Sequence, residues 1–345
     1  MAVGNSVPFM GYDSCITVAK QLTTTTFVTG TAFLEFNSES MKREIEEVKL
    51  PSIRNSRSFI RRIQTNEVIS GSIDYDLNPA SDAGMWIIRQ GMGGTSAVSV
   101  LSAAVSFQHT WYPGNMENTG SSAGSSPIRA VSISVRKGNT NTWDYNFCRV
   151  NSFTIKGEIG NPIAVTADII GQSATAVSTI GTTAPTFTAI NPLMFHNVVI
   201  TTGISIGAAS TEEFFTGFEF TVNNNIDTDQ RSLGSKAVTQ LPPVMRDVSL
   251  KLSSRFDTLT SYNRFIQATA TAIKIVITSD TKITGSDTHY YIFEIDIPKA
   301  YYSGHVPEVG GSGVLAYEVN TAIVQDASST VDCRILVKNG TANYD

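Results

Sequence analysis

Apolar and polar residues alternate with a period of two in segment after segment of this 345-residue chain. Successive side chains of a β-strand point to opposite faces of a sheet, so this alternation predicts strands with one buried face. The clearest cases are GSIDYDL at 71–77, VSISV at 131–135, FEFTV at 218–222, VSLKL at 248–252, YIFEIDI at 291–297 and VDCRILV at 331–337. Alternation of this kind is typical of antiparallel sheets. The chain is therefore predicted to be mainly β.

Two segments instead have the three- and four-residue spacing of helices, 81–91 and 257–269. Candidate N-cap residues precede both: Ser81 or Asp82, and Asp257 or Thr258. Gly91 lies where the first helix is expected to end. Each helix follows an alternating strand, so the chain contains two similar strand–helix pairs.

The surroundings of these two pairs predict an internal repeat. TAFLEFNSES and a long polar segment precede the first pair, and TGFEFTVNNN and another polar segment precede the second pair. An uncharged stretch with two prolines, 173–192, separates the copies. We therefore expect two tandem domains, 1–185 with an N-terminal arm and 186–345 with a short C-terminal arm.

The charge of the chain argues against a protein that holds nucleic acid electrostatically. Its 25 Lys and Arg residues stand against 30 Asp and Glu residues, and the net charge of −5 falls entirely in the second domain. Charged residues make up 16% of the chain, compared with about 25% in an ordinary soluble domain, and 76 Ser and Thr residues supply polarity instead. A β protein with a weakly charged surface is expected.

Neither an export signal nor a membrane helix is readable in the sequence. The first residues lack a basic segment followed by an apolar one, and no apolar run approaches the roughly 18 residues of a spanning helix. Three scattered cysteines, Cys15, Cys148 and Cys333, have neither a disulfide nor a metal-binding spacing. We expect synthesis in a cytoplasm and reduced thiols.

The sequence contains no convincing catalytic or metal-binding set. Residues 120–124 match G-x-S-x-G but lie in a Ser/Gly run rather than between a strand and a helix. The histidines lack metal-ligand spacing: His109, His196, His289 and His305. Two pairs of carboxylates each share a strand face: Asp74 with Asp76, and Glu294 with Asp296. Paired acids can cleave glycosidic bonds, but a solvated strand face explains them as well. We expect no enzyme activity, no cofactor and no metal.

The most charged segment of the chain, 39–62, falls in a predicted loop between strands. It holds acidic and basic residues in mixed order: Glu39, Glu44, Glu46 and Glu47, with Lys42, Arg43, Lys49, Arg54, Arg57, Arg61 and Arg62. Two interpretations remain open, a solvated loop or a docking arm for a complementary surface or a second copy of the chain.

Five segments together have a layout seen in a known family. They are TAFLEFN with the polar loop behind it, GSIDYDLNPASDAGMWIIRQGMG, VNSFTIKGEIGNPIAVTADIIGQSA, FTGFEFTVNNNID and VSLKLSSRFDTLTSYNRFIQA. This layout resembles that of the tail tube proteins, or major tail proteins, of long-tailed siphovirus-type bacteriophages. The resemblance covers nearly the whole chain in two copies and rests on the order of the segments rather than on one diagnostic motif.

The resemblance implies two tandem antiparallel β-sandwich or half-barrel domains, each with one short flanking α-helix and a long inter-strand loop. It implies that sheets of neighbouring subunits join around a lumen, so three two-domain chains would form a pseudo-sixfold ring and rings would stack into a hollow tube. The N-terminal arm, 1–30, would order on docking. The ring-stacking loops, 37–58 and 223–243, would contribute Glu39, Lys42, Arg43, Glu44, Glu46, Glu47, Arg54, Arg57, Asn223, Asn224, Asn225, Asp227, Asp229 and Arg231.

A tube that passes DNA without holding it needs a neutral or acidic lumen, because basic side chains would retain the phosphates. The candidate lumen-facing acids are Asp74, Asp76, Glu294 and Asp296. The resemblance also implies tail partners, namely a tail-tip initiator, tape-measure protein and tail terminator. It implies assembly in the host cytoplasm, a final place in the virion tail, no specific DNA binding and no membrane partner.

The alternative function is a β-sandwich that binds carbohydrate or forms a fibre of the virion. Its stacking platforms would be aromatic side chains: Trp86, Trp111, Trp143 and Tyr112. Trp86 equally suits the core side of a helix, and Trp111 equally suits a loop anchor. Contractile-tail and secretion-system tubes share the fold, so the sequence does not distinguish flexible from contractile tails.

Overall fold

The computed structural model confirms a mainly β, antiparallel fold with two short helices. It describes residues 11–21, 26–50, 58–59, 61–102, 105–114, 130–138, 141–177, 185–209, 211–212, 215–256, 259–286, 288–303, 315–327 and 331–344. No helix among these residues has both the length and the hydropathy needed to cross a membrane.

The described residues contain nineteen strands and two α-helices. The strands of the first half are β1 (Cys15–Gln21), β2 (Ala32–Leu34), β3 (Ser38–Glu39), β4 (Lys42–Lys49), β5 (Arg62–Asp76), β6 (Gly93–Ser102), β7 (Ser106–Pro113), β8 (Ala130–Lys137), β9 (Asn141–Glu158), β10 (Ala164–Gly171) and β11 (Ser173–Val177). Those of the second half are β12 (Val198–Gly203), β13 (Thr211–Glu212), β14 (Phe215–Asn223), β15 (Asp247–Arg255), β16 (Thr271–Lys282), β17 (Tyr290–Ser303), β18 (Ala316–Ile323) and β19 (Arg334–Asn339). The helices are α1 (Asp82–Met92) and α2 (Thr260–Ile266). All six alternating segments lie in or overlap strands.

The long strand β9 belongs to two sheets. Its first half pairs with β8 and β11, and its second half pairs with β10 and β14. The change occurs near Phe147, which has a φ of 51° and lies at a register shift against β8. Gln21 holds this irregular turn, because its Oε1 accepts hydrogen bonds from the Phe147 backbone N (2.8 Å) and from Ser132 Oγ (2.8 Å).

The strand that supplies Gln21 corrects part of the predicted N-terminal arm. Residues 15–21 are a core strand, in which Ile16 and Val18 are fully buried. Such a strand is fixed by packing in the single chain and does not need docking to become ordered. Residues 1–10 of the arm lie outside the described residues.

A continuous antiparallel ladder joins the two halves of the chain. Its order is β4–β5–β10–β9–β14–β15–β18–β17. Beyond it, β17 pairs with β16 and β19, and the other edge of β19 pairs with β7 of the first half. The buried faces of both halves form one hydrophobic core. The predicted domain boundary near residue 185 stays a prediction.

The pairing pattern of the first half recurs in the second. The set β5–β10–β9 reappears as β15–β18–β17, and the pair β1–β8 reappears as β12–β16. The registers match 38–44 to 217–223, since both segments pair with equivalent positions of β5 and β15. Residue 37 of the first half therefore takes the place of Thr216 of the second half. This correspondence rests on the partner strands, because the partner strand determines strand register.

The first helix begins where the sequence predicts and ends slightly later. Ser81 is the N-cap, and its Oγ accepts a hydrogen bond from Gly84 N (3.4 Å). Gly91 lies inside α1, where a Cβ atom would come within 2.6 Å of the Phe153 ring, so glycine lets the helix pack closely on β9. Gly93 ends the helix with a φ of 68°. The predicted end at Gly91 is wrong because that glycine serves packing.

The second helix is shorter than the predicted span of 257–269. It begins at Thr260 with Leu259 as the N-cap residue, which provides no side-chain cap. The two predicted caps, Asp257 and Thr258, lie outside the described residues.

The last described residues connect β19 to the start of α1 through hydrogen bonds of Tyr344. Tyr344 is fully buried, and its hydroxyl donates to Asp82 Oδ1 (3.0 Å) and accepts from Asn339 Nδ2 (2.6 Å). Its ring packs edge-on against Trp111 and His109, with centroid distances of 5.5 and 4.8 Å. This contact adds a further connection between the halves to the β9–β14 and β7–β19 ladders.

We expect Tyr344→Ala to lower the free energy of unfolding by about 3–5 kcal/mol, the usual cost of removing a buried aromatic side chain. Tyr344→Phe should cost about 1–2 kcal/mol, because it removes only the hydroxyl from its two partners. Tyr12→Ala is the matched control, since Tyr12 is 85% exposed. Urea unfolding measures all three, and equal stabilities of the two alanine variants would contradict this role of Tyr344.

Candidate functional site

The solvent side of the central ladder forms one extended polar surface, which we call the polar sheet face. It is built from the second half of β9 together with β10, β14, β15, β18 and the end of β5. Its members alternate with core residues and are half-buried or exposed: Ser72, Asp74, Asp76, Ser152, Thr154, Lys156, Glu158, Thr166, Asp168, Glu219, Thr221, Asn223, Asp247, Ser249, Lys251, Ser253, Arg255, Glu318 and Asn320.

Strand registers align these side chains in rows across both halves. One row runs from Asp74 through Thr166, Thr154 and Thr221 to Ser249. Hydrogen bonds link its members, from Thr166 Oγ1 to Asp74 Oδ1 (2.7 Å) and between the hydroxyls of Thr154 and Thr221 (2.9 Å). The second bond crosses the junction of β9 with β14, so the polar surface is continuous between the halves.

Acidic residues outnumber basic residues on the polar sheet face. It carries seven carboxylates and three cationic side chains, all named above. Two lysines are engaged by neighbouring acids: Lys156 Nζ with Glu158 (2.8 Å) and Lys251 Nζ with Glu318 (3.1 Å). The acid excess and these ion pairs leave little unpaired positive charge for a polyanion.

Two of the four predicted lumen-facing acids lie on this face and two do not. Asp74 and Asp76 lie near the end of β5, where Asp74 also accepts a hydrogen bond from Ser38 Oγ. Asp296 is fully buried on β17 and forms an ion pair with Arg334 (2.6 Å). Glu294 is nearly buried and pairs with Lys274 (2.7 Å).

The prediction that Glu294 and Asp296 face solvent is therefore wrong. Both faces of β17 are covered at this point, so alternation in the sequence does not leave one side in water. Burial and the adjacent Glu294 raise the pKa of Asp296, while Arg334 opposes this shift. These acids belong to an internal ion-pair cluster and cannot line a channel.

The predicted stacking segment 37–58 is partly strand rather than loop. β4 is exposed along its length and pairs with the first part of β5. We call residues 42–49, 58–59 and 61–70 the charged hairpin. Two of its ion pairs are on the surface, Lys42 with Glu44 (2.6 Å) and Arg62 with Glu47 (3.0 Å), and a third joins Arg43 to the buried Glu67 (2.6 Å). Glu46 accepts from Asn66 Nδ2 (2.7 Å), and Glu39 pairs with Lys137 (2.8 Å). Arg54 and Arg57 lie outside the described residues.

The charged hairpin also exposes apolar side chains. Val48 and Ile63 are paired across its strands and are 46% and 51% exposed, and Phe59 is 66% exposed. Charges on an edge strand discourage unspecific pairing, whereas exposed apolar side chains favour contact with a partner. The hairpin thus has charges that discourage unspecific pairing and apolar side chains that favour a specific partner, as expected of a selective docking element.

The second predicted stacking segment, 223–243, folds back onto the first half of the chain. Ile226, Val238 and Leu241 form a small buried cluster that packs against Ile170 of β10. Arg149 of β9 donates from Nη1 to the Leu241 carbonyl (2.7 Å). This segment is therefore attached to its own chain over most of its length.

Asn224 differs from the other predicted stacking residues of this segment. Its side chain is buried and donates to the carbonyls of Gly91 (2.9 Å) and Val150 (3.1 Å). The prediction that Asn224 contacts a neighbouring ring is therefore wrong, because its side chain is buried within its own chain. The remaining members are half-buried or exposed: Asn223 on the polar sheet face, Asn225, Asp227, Asp229 and Arg231.

The aromatic platforms of the alternative carbohydrate-binding function do not form one surface. Trp111 is fully buried beneath Tyr344. Trp86 packs partly against the core with Lys20 6.0 Å above its ring, and Trp143 does the same with Lys137 at 5.9 Å. Tyr112 is half-buried on β7. Residues 120–124 lie outside the described residues, and within the described part of the chain no three His, Cys, Asp or Glu side chains cluster around a potential metal.

The sequence analysis missed most of the polar sheet face. Asp168 alternates with Val165, Ala167 and Ile169 in AVTADIIG, and Lys156 and Glu158 alternate with core residues in FTIKGE. These signals were available, but nothing in the sequence says that β9 and β14 are neighbours. Without that pairing the acids appear scattered.

The fold and the polar sheet face define a class: an antiparallel β protein organised around an extended, solvent-exposed sheet. A family model for the phage tail tube protein matches residues 11–323, and the chain belongs to that family. No curated protein matches the chain. It is thus a structural protein of the virion tail that assembles with other tail proteins into a multi-subunit tube.

We expect Asn224→Ala to lower the free energy of unfolding by about 1–3 kcal/mol, because two buried carbonyl groups lose their donor. Asn320→Ala provides the control, since Asn320 is exposed on the polar sheet face. Its cost should stay within about 0.5 kcal/mol. Thermal or urea unfolding of both variants measures the difference, and an unchanged stability of Asn224→Ala would contradict the anchoring role.

Proposed function

We propose that three copies of this chain form a pseudo-sixfold ring, that rings stack into a hollow tube, and that DNA passes through the tube into the host. The observation that carries this proposal is the polar sheet face, which runs without interruption across both halves of a chain from the tail tube family. The internal β9–β14 junction already joins two similar sheets edge to edge. Repeating such a junction between chains closes the sheet and removes its edges.

In this arrangement the polar sheet face lines the lumen, with Asp74 and Asp76 among its acids. Its hydroxyl rows and acid excess suit a wall that a duplex slides along, since an unpaired cationic patch would bind phosphates. DNA would then meet a hydrated surface without specific contacts. The buried side of the same strands supplies the core, so one set of strands provides both stability and the channel wall.

Assembly at the outer parts of the ring uses the exposed segments of the chain. The charged hairpin supplies contacts between copies, and the exposed members of 223–243 take part in the stacking of successive rings. A tail-tip initiator, a tape-measure protein and a tail terminator are the proposed partners that start the tube, set its length and end it. The exposed apolar side chains of the hairpin support a role in contact rather than in solvation.

Self-assembly is tested by negative-stain electron microscopy of concentrated purified protein, with size-exclusion chromatography at the same concentrations. We expect hollow tubes or rings of three chains, since the exposed edges and apolar side chains are covered only by association. Strict monomers across protein concentration and salt, even with added tail-tip protein as initiator, would contradict the proposal.

The charged-hairpin contact predicts that Val48→Glu with Ile63→Glu abolishes assembly while the chain stays folded. Both side chains are exposed, so the substitutions remove an apolar contact surface without emptying the core. Val98→Glu with Val100→Glu on β6 is the control, because these valines are 43% and 61% exposed outside the hairpin. Circular dichroism and sedimentation measure folding and assembly, and tubes formed normally by the hairpin variant would contradict this contact.

The lumen assignment predicts that Asp168→Lys with Glu219→Lys slows DNA ejection from virions at low salt and that high salt relieves the defect. Glu35→Lys with Asp280→Lys makes the same charge change at exposed acids outside the polar sheet face. Ejection is followed by dye binding to released DNA. Equal ejection by both variants at every salt concentration would contradict a lumen lined by this face.

A further inference from the structure

The charged hairpin and the segment 223–243 occupy the same place in the two halves of the chain. Glu44 pairs with Val68 as Asn223 pairs with Asp247. Further along, Glu47 lies opposite Gln64 in the hairpin, and Ile226 lies opposite Pro243 in an isolated bridge. Within the described residues, positions of one segment therefore correspond to positions of the other at a constant spacing along the chain.

The two segments differ in what covers them. Val238 and Leu241 are both 2% exposed, because 223–243 packs on β9 and β10 of the first half. Their counterparts in the charged hairpin are Phe59, which is 66% exposed, and Arg62, whose side chain is 69% exposed. At Phe59 and Arg62 the hairpin has the position of a covered segment but is exposed, whereas at its base the Glu67 backbone N donates to the Lys236 carbonyl of 223–243 (2.9 Å).

The surface that covers 223–243 also has a counterpart in the second half. It centres on Ile170 of β10 and Arg149 of β9, which are direct partners across the ladder. Counting from the first residues of β10 and β18, the equivalent pair is Ala322 of β18 and Tyr301 of β17, also direct partners. Ala322 is exposed, and the nearby Val324 is 40% exposed.

We propose that the charged hairpin of one copy docks on the Ala322–Tyr301 surface of the neighbouring copy in the same ring. This inference rests on the proposed three-copy ring, because there the first half of each chain follows the second half of its neighbour. The internal contact of 223–243 with Ile170 and Arg149 is the template for the contact between copies. Phe59 takes the place of Val238.

The chemistry of the receiving surface fits the template. Small Ala322 in the place of Ile170 leaves room for the phenylalanine ring that replaces Val238, and exposed Val324 extends the apolar area. Arg149 donates to the Leu241 carbonyl, and the hydroxyl of Tyr301 can donate to the Arg62 carbonyl at the equivalent position. The occupant is thus a second copy of this chain, placed sideways rather than in the next ring.

Cysteine crosslinking of assembled tubes tests this contact. Phe59→Cys with Ala322→Cys is treated with a short bismaleimide before and after assembly, and products are separated under denaturing conditions. The three native cysteines are buried and should react little. Lys251→Cys with Asn320→Cys is the matched control, since these residues are cross-strand partners on the solvent side of one chain and should link without forming dimers.

We expect the Phe59–Ala322 pair to give covalent dimers and trimers only after assembly, with the ladder ending at the trimer because the ring closes. A ladder that continues beyond the trimer would place the hairpin on the next ring and overturn the inference. Tubes without crosslinks, in this pair and in Arg62→Cys with Tyr301→Cys, would also overturn it. Absence of tubes from the unmodified protein would instead contradict the proposed ring itself.

Discussion

The pairing of β9 with β14 is the interaction on which the rest of this structure depends. It is an antiparallel ladder over seven residue pairs that joins the first half of the chain to the second. β9 is free to make it only because its other half has already turned into a different sheet at Phe147, where buried Gln21 satisfies the displaced backbone. Without this ladder β9 and β14 would each present an exposed edge, which is a hazard for unspecific association.

One consequence of the ladder is that the two faces of each strand have different roles, one in the core and one on the solvent-exposed surface. Phe153, Phe220 and Leu250 point into the common core and supply the hydrophobic free energy of folding. Thr154, Thr221 and Ser249 are adjacent in sequence to these core residues and form a row of hydroxyl groups on the opposite side of the sheet. A tube protein needs this division, because its wall must be stable and yet present few binding sites for the phosphates of passing DNA.

Sequence patterns predicted the elements of this fold better than their neighbours. Alternation identified β5, β8, β14, β15, β17 and β19, and the cap at Ser81 located the first helix, because these signals are local. The burial of Asp296 was not predictable, since it depends on Arg334 arriving from a strand almost 40 positions later. The burial of Asn224 was not predictable either, because its side chain donates to carbonyl groups of α1 and β9, which are distant in sequence. The charged segment was assigned to a loop because KREIEEVK lacks the alternation of apolar and polar residues that would indicate a strand, although β4 pairs with β5.

A cryo-electron microscopy reconstruction of the assembled tube gives both the ring symmetry and the side of the sheet that faces the channel. We expect three chains per ring, with the acids and hydroxyls of the polar sheet face lining the lumen and a β9–β14-like junction repeated between chains. A tube with another number of chains per ring, or with the polar sheet face on its outer surface, would contradict this expectation.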